Sequence, residues 1–170
     1  MTTLDKNNYK SVPAIGQNDS MACWAACLAW WLKAVKDGRP SWTQNQVIVE
    51  YTKYTNDDGG FDPLKLLEVF KNDTRLKMST GVFKTSQYRG RGLPLGDKPV
   101  IIAYNHPNAG THMNVLFGQV GREVIAMEPY HPYPGKDGQR TGIFVDRSVD
   151  FFIEKSPNII LGWPTVKFSS

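Results

Sequence analysis

The sequence predicts an α+β fold in which helices come first and an antiparallel sheet follows. In the first half of the chain, apolar residues recur at helical spacing. In the second half, short apolar stretches alternate with Gly, Pro and Asn or Asp turns, which is typical of strands. A length of 170 residues suits one domain, so we expect residues 1–170 to form a single domain with a helical lobe packed on a sheet lobe. A cleft between the lobes is the expected place for a site.

Three helices are predicted in the first half. Residues 21–36 are apolar on nearly all sides, which is typical of a central buried helix, and a glycine and a proline follow its end. Ser41 or Thr43 can cap a second helix because either hydroxyl can accept a hydrogen bond from a free backbone N–H group. Pro63 opens a third helix, since proline suits the first helical turn.

Strands are predicted at six places in the second half. Gly121 separates two of them by a short turn, which indicates a hairpin. The predicted segments are 80–84, 99–104, 113–120, 122–128, 142–146 and 160–168.

Charge and apolar length exclude several classes of protein. The net charge is +4, but the basic residues are scattered, so we expect no nucleic-acid partner. The longest apolar run, Met21–Leu32, is shorter than the roughly 20 residues that span a bilayer, so no membrane partner is expected. The polar N-terminus is unlike a signal peptide. These features predict a cytoplasmic protein, or one delivered into a target cell by a dedicated secretion system.

The chain has two cysteines, Cys23 and Cys27, which lie four residues apart on the first predicted helix. This spacing is poor for a disulfide, so the pair indicates a reducing compartment or a catalytic thiol. We expect Cys27, one turn deeper, to be a core residue. Neither a metal nor a cofactor is predicted, because the histidines lack the spacing of zinc ligands.

Cys23 has the surroundings of a nucleophile. Asp19 and Ser20 can both cap the helix, which puts Cys23 in its first turn, where the free N–H groups and the helix dipole favour a thiolate. Gln17 precedes Cys23 by six positions. Its side-chain amide can point at the attacked carbonyl beside the Cys23 N–H group. Such an oxyanion hole is worth about 3–4 kcal/mol per donor.

This segment resembles the papain-like cysteine peptidases, whose hallmark is Gln, a short polar loop and Ser-x-x-Cys-Trp-Ala-Ala at the head of a helix. It is most similar to compact bacterial members, namely secreted effector proteases and the peptidase domains that trim bacteriocin leader peptides. The resemblance covers residues 17–32 well and residues 110–130 moderately. It implies a papain-like fold, peptide-bond hydrolysis, and a catalytic histidine in a later strand followed by an acidic or amide residue.

Three histidines compete for the role of base. His106 precedes a proline in a turn and is expected to face solvent, and His131 lies in a proline-rich loop. His112 alone stands at the start of an apolar strand, which can hold an imidazole rigidly across a cleft from a helix N-terminus. We therefore predict His112 as the base. The alternative is that His112 is an ordinary polar residue of the strand.

The third catalytic residue is predicted to be Glu128, sixteen positions after His112. Relatives commonly have Asp-Pro at the end of the next strand, whereas this chain has Glu128-Pro129. A carboxylate there would fix the imidazole tautomer and stabilise imidazolium. Glu is one methylene longer than Asp, so its geometry beside the imidazole must differ from that of relatives. Asn114 and Asp137 are therefore kept as lesser candidates for the third residue. Glu128 could also simply end a strand.

The predicted function is therefore that of a cysteine peptidase that cleaves a protein or peptide through a thioester. A bacterial toxin or effector, restrained by an inhibitor or immunity protein over the cleft, is the predicted setting, and a cytosolic housekeeping peptidase is the other. The same constellation could serve a papain-fold deamidase or acyltransferase. A catalytically silent protein-binding module is the alternative from a different class.

Overall fold

The computed structural model describes most of the chain. The described residues are 5–18, 22–55, 62–106, 110–132 and 141–165. The expected helix caps Asp19 and Ser20, and the lesser third-residue candidate Asp137, lie outside the described residues.

Helices precede most of the strands, as the α+β prediction requires. The elements of the described residues are, in chain order, α1 (Cys23–Val35), α2 (Gln44–Tyr51), α3 (Pro63–Asn72), β1 (Met78–Lys84), β2 (Val100–His106), β3 (Gly110–Val120), β4 (Glu123–Glu128), β5 (Ile143–Ser148), α4 (Val149–Ile153) and β6 (Asn158–Pro164). Three short 3₁₀ turns accompany them, at Tyr9–Ser11, Thr52–Tyr54 and Thr85–Tyr88.

Helix α1 is the central helix that the sequence predicts. All of its residues except Lys33 are buried. The indole N–H groups of its two adjacent tryptophans donate to backbone carbonyls. Trp30 donates to Val12 at 3.0 Å, and Trp31 donates to Pro99 at 2.9 Å. A buried indole thus keeps a hydrogen-bond partner, which makes its burial inexpensive. These contacts fix the rotation and position of the helix whose first residue is Cys23.

Helix α2 begins after Thr43, so Thr43 rather than Ser41 is the cap. The Thr43 hydroxyl accepts from the Gln46 N–H at 3.2 Å, and the Gln46 side chain accepts from the Thr43 N–H at 2.8 Å. This reciprocal arrangement is a capping box, which satisfies two backbone donors at the helix start. It places Gln44 at the first helical position, facing the loop before α1.

The strands form a six-stranded antiparallel sheet in the order β1-β6-β2-β3-β4-β5. The predicted hairpin joins β3 and β4, and Gly121 in its turn has φ of 59°, a conformation that glycine adopts without strain. All six predicted strands are present with shifted ends. The largest shift of a strand start is in β3, which begins at residue 110 instead of 113. Strand β6 runs over 158–164 instead of starting at 160, and residues 166–168 of its predicted range lie outside the described residues.

Two hydrophobic clusters cover the two faces of the sheet. One contains α1 together with Met113, Val115 and Met127, and the other contains α4 together with Leu116 and Ala126. Helix α4 is the element that the sequence analysis missed. It has five residues, too few for a helical periodicity to stand out. Its N-cap is Ser148, whose hydroxyl accepts from the Asp150 N–H at 3.2 Å.

Candidate active site

Cys23 is the first residue of α1 and is 5% exposed. The first turn of a helix lies at the positive end of the helix dipole, which favours a negatively charged group there. The residue at the cap position is Ala22, whose side chain cannot cap. Cys27 lies one turn deeper and is fully buried, as expected for a core residue.

His112 lies near the start of β3, opposite Tyr104 on β2, and is 2% exposed. Its Nε2 atom is 2.6 Å from Oε2 of Glu128, the last residue of β4. Cys23 lies near enough to the His112 ring to act on its ionisation through charge and hydrogen bonding. The fold therefore brings Cys23, His112 and Glu128 into one continuous chain of contacts.

The surroundings of His112 favour the charged imidazolium. Burial by itself disfavours the charge, but it is outweighed by the negative charges of Cys23 and Glu128 and by the hydrogen bonds that both groups make with the ring. Together they raise the pKa of His112 to about 9. A thiolate and an imidazolium held side by side are the reactive form of a cysteine nucleophile.

Glu128 is held as a carboxylate in the same way. Burial alone would raise its pKa, but the positive charge and hydrogen bond of His112, the charge of Arg147 and the backbone N–H of Tyr130 together lower it to about 2. Oε2 accepts from the Tyr130 N–H at 3.0 Å in addition to contacting His112. Oε1 accepts from Arg147 Nη1 at 2.9 Å.

Asn114, a lesser candidate for the third residue, has other contacts. Its Oδ1 atom accepts from Tyr104 OH at 3.0 Å and from Arg147 Nη1 at 2.5 Å, and its Nδ2 atom donates to the Met113 carbonyl at 2.8 Å. Of the described residues proposed for the third position, Glu128 is thus the one in contact with His112.

Gln17 is fully buried in the loop that leads into α1. Its backbone N–H donates to the carbonyl of Pro129, the residue after Glu128, at 2.9 Å. The loop is therefore tied to the end of β4, where the third member of the contact chain lies. Gly142 packs on the same loop: a Cβ atom on it would lie 2.8 Å from the carbonyl carbon and oxygen of Ile15, so only glycine fits there unchanged.

Gln44 of α2 forms hydrogen bonds with the loop on both sides of Gln17, and these two bonds are called the Gln44 clasp. Its Nε2 atom donates to the Gly16 carbonyl at 2.8 Å, and its Oε1 atom accepts from the Asn18 N–H at 2.8 Å. The side-chain amide thus bonds to the loop backbone as a neighbouring strand would. It satisfies one carbonyl and one N–H group beside a fully buried residue. The backbone of Gln17 is thus held from both directions.

The other two histidines differ in their surroundings. His131 is exposed, as expected for a loop residue. His106 is half-buried rather than solvent-facing, with its ring centroid 5.3 Å from that of His112 and 5.3 Å from that of Phe151. Burial and the nearby positive charge of His112 lower the pKa of His106 to about 4, which keeps it neutral near pH 7. The reason for the difference is α4, which covers this end of the sheet and was not predicted.

Sequence reasoning missed two residues of this site, Arg147 and Gln44. Neither belongs to a motif, and each reaches the site only because of tertiary pairing. Arg147 lies on β5 opposite Val124 of β4, so its side chain shares a sheet face with Glu128.

Neither a metal-ligand cluster nor a membrane-spanning helix occurs in the described ranges. They contain no group of three or more His, Cys, Asp or Glu side chains placed to hold a metal ion. No helix formed by these residues is long and apolar enough to cross a membrane.

Comparison with known proteins relates the chain to solved structures alone. No protein-family model and no curated protein matches it. The crystal structure of the peptidase domain of Streptococcus ComA, a bi-functional ABC transporter involved in a quorum-sensing pathway, matches with a TM-score of 0.59 and 20% sequence identity. That match covers 90% of this chain and 98% of the domain.

A second solved structure, that of Ly7917, matches with a TM-score of 0.51 and 10% identity. It covers 94% of this chain and 62% of Ly7917. At these identities the likeness concerns the fold. The chain has the papain-like α+β fold of the ComA peptidase domain.

Proposed function

We propose that this protein is a cysteine peptidase that cleaves a peptide bond through a thioester on Cys23. The observation that carries the proposal is the buried chain of contacts from Cys23 through His112 to Glu128, with 2.6 Å between His112 Nε2 and Glu128 Oε2. The fold is one that a bacterial peptidase domain also uses. A nucleophile, a base within hydrogen-bond reach and a group that orients the base are together the requirements for nucleophilic acyl transfer.

In the first step the Cys23 thiolate attacks the peptide carbonyl carbon, and the C–S bond forms as the carbonyl electrons move to oxygen. The His112 imidazolium then gives its proton to the leaving amine as the C–N bond breaks, leaving a thioester. In the second step neutral His112 takes a proton from water, whose oxygen attacks the thioester. The carboxylic acid leaves, and the thiolate–imidazolium pair is restored.

The oxyanion of each tetrahedral intermediate is assigned to the Cys23 N–H group and the Gln17 side-chain amide. The tie from Gln17 to Pro129 and the two bonds from Gln44 support this assignment, because an oxyanion hole works only when its donors are held in place before the reaction. Glu128 keeps the His112 ring in one orientation and offsets its positive charge.

The experiment that tests the proposal uses peptides rather than a guessed substrate. A peptide library prepared from a bacterial proteome is incubated with wild type, Cys23→Ala and Cys27→Ala, and new N-termini are identified by mass spectrometry. Wild type and Cys27→Ala are expected to give the same cleavage products, and Cys23→Ala none. Conversion of glutamine to glutamate without chain cleavage would instead favour the deamidase reading. Absence of any Cys23-dependent product would overturn peptidase activity.

As its setting we propose a bacterial toxin or effector whose inhibitor protein covers the cleft. The free, unbridged Cys23 and Cys27 support action in a reducing compartment. A concave catalytic site offers an inhibitor protein a large buried area. Expression of wild type in a bacterial cytoplasm should slow growth, and Cys23→Ala should relieve the effect. Equal growth of the two strains would favour a selective housekeeping peptidase.

A further inference from the structure

Arg147 makes several contacts on the side of Glu128 that faces away from His112. Its Nη1 atom lies 2.9 Å from Glu128 Oε1, 2.5 Å from Asn114 Oδ1 and 3.4 Å from Tyr104 OH. Its guanidinium carbon lies 4.0 Å from the centroid of the Phe151 ring on α4. The Arg147 side chain is 16% exposed, so its charge acts largely out of water.

These contacts give each Glu128 oxygen a separate set of partners. Oε2 is engaged by His112 and by the Tyr130 N–H, and Oε1 is engaged by Arg147. A glutamate has one more rotatable bond than an aspartate, so its carboxylate needs an additional tie to stay in one orientation. The guanidinium is planar and always charged, and stacking on Phe151 limits its own movement.

We propose that Arg147 is a positioning residue for His112: it acts through Glu128, by fixing the second carboxylate oxygen and by neutralising a buried negative charge. The proposal deepens the proposed function and rests on it, because Glu128 matters only if His112 is the base. Arg147 touches neither His112 nor Cys23 in any described contact, so its effect on the reaction is indirect.

The charges around Glu128 determine whether its pKa rises or falls when Arg147 is removed. With Arg147, Glu128, His112 and Cys23 all ionised, two positive charges offset two negative charges. Removal of Arg147 leaves a net negative site, so Glu128 binds a proton more readily. The groups whose charges or hydrogen bonds act on Glu128 or on its partner His112 are His112 itself from β3, Tyr104 and His106 from β2, Arg147 from β5, the Tyr130 N–H after β4, and Cys23 and Cys27 from α1. Helix α4 adds the uncharged rings of Phe151 and Phe152.

The test combines a titration with an activity profile. The side-chain carboxyl carbon of Glu128 is followed by ¹³C NMR against pH in wild type, Arg147→Met and Arg147→Lys, and kcat/KM for cleavage of a library-derived peptide is measured over the same range. In Arg147→Met, the carboxyl midpoint and the acid limb of kcat/KM should both rise by about one to three pH units. Arg147→Lys keeps the charge and should leave both close to wild type.

Arg122→Met is the matched control, because Arg122 also pairs with a carboxylate, that of Asp150 at 2.7 Å, but belongs to a different part of the surface. It should move neither the midpoint nor the limb. A role limited to packing would lower the rate of Arg147→Met at all pH values without moving either midpoint, and that result would overturn the proposal. If wild type cleaves no peptide, the proposed function fails, while the NMR titration still reports whether Arg147 controls Glu128.

Arg147→Met could fail to fold because it leaves a buried carboxylate without its cation. In that case the double variant Arg147→Met, Glu128→Gln should recover folding, measured by near-ultraviolet circular dichroism, since no uncompensated charge remains. Failure of the double variant to fold, together with an unfolded single variant, would show that Arg147 acts on the structure through contacts other than Glu128 and would contradict the proposal.

Discussion

Nε2 of His112 lies 2.6 Å from Oε2 of Glu128, and both side chains are almost completely buried. The same carboxylate oxygen accepts from the Tyr130 N–H, and the other accepts from Arg147. All three neighbours can therefore donate to Glu128. A carboxylate can accept from all of them, whereas an amide at this position must direct its NH₂ group at one of the donors.

Glu128→Gln should lower kcat/KM by less than His112→Ala, which removes the base and is expected to cost about 10²–10⁴-fold. It should also move the alkaline limb of the pH profile from about 9 toward the ordinary histidine value of 6.5, because the negative charge that helps to hold imidazolium is gone. The measurement is kcat/KM against pH. An alkaline limb that stays near 9 in Glu128→Gln would contradict the role assigned to this carboxylate.

Stability should fall on the acid side because of Glu128. The pKa of this group is lowered from 4.5 to about 2 on folding, so its stabilising contribution is complete above pH 4.5 and is lost as the pH falls toward 2. A shift of this size corresponds to at most about 3 kcal/mol in the free energy of unfolding. Urea unfolding of wild type between pH 7 and pH 3 should show this loss, and Glu128→Gln should show a smaller pH dependence. Equal slopes for the two proteins would refute the prediction.

Most of the fold follows from local patterns. The apolar run of α1, the capping residue Thr43 and the Gly121 turn each encode their element in a few adjacent residues. The short helix α4 has no comparable local pattern, and its position over β2 depends on the order of strands in the sheet. That order, with β6 inserted between β1 and β2, is set by packing of the whole sheet rather than by any single segment.

The candidate site divides in the same way. Cys23, Gln17 and His112 stand in segments with recognisable surroundings, and the hairpin between β3 and β4 made Glu128 a reasonable expectation. Arg147 and Gln44 approach from β5 and α2, respectively, through contacts between distant parts of the chain. His106 likewise owes its half-buried position to α4. Supporting residues of this kind can be identified only in the folded structure, where distant parts of the chain become neighbours.

The clasp formed by Gln44 should matter for catalysis more than for stability. Gln44→Ala removes the bonds to Gly16 and Asn18, so the loop that carries Gln17 loses its fixed position. We expect kcat to fall with little change in KM, because the oxyanion donors act mainly in the transition state. Gln46→Ala is the matched control, since it disrupts the capping box of the same helix at a cost of about 1 kcal/mol without touching the loop.

Kinetics with a cleaved library peptide and urea unfolding of both variants distinguish the two effects. We expect Gln44→Ala and Gln46→Ala to lower the free energy of unfolding by similar amounts. Only Gln44→Ala should lower kcat. Equal kcat values for Gln44→Ala and Gln46→Ala would show that the clasp serves the fold rather than the reaction.

The two cysteines should react with iodoacetamide at very different rates. Cys27 is fully buried, and burial together with the negative charges of Cys23 and Glu128 raises the pKa of its thiol well above the ordinary value. Cys23 lies at the helix start in contact with His112. At neutral pH, peptide mapping of the alkylated protein should find Cys23 modified much faster than Cys27, and His112→Ala should slow the modification of Cys23. Similar rates for the two thiols would contradict this difference.

Capture of the acyl-enzyme is the most direct test of Cys23 as the nucleophile. Wild type, Cys23→Ala and His112→Ala are mixed with a peptide that the library assay has identified as a substrate, quenched in acid after short times, and examined by intact-protein and peptide-mapping mass spectrometry. Wild type should carry the N-terminal fragment of the substrate on Cys23 as a thioester that hydroxylamine releases, and Cys23→Ala should carry none. Cleavage of the peptide by Cys23→Ala at the wild-type rate, or an adduct on any residue other than Cys23, would show that Cys23 is not the nucleophile.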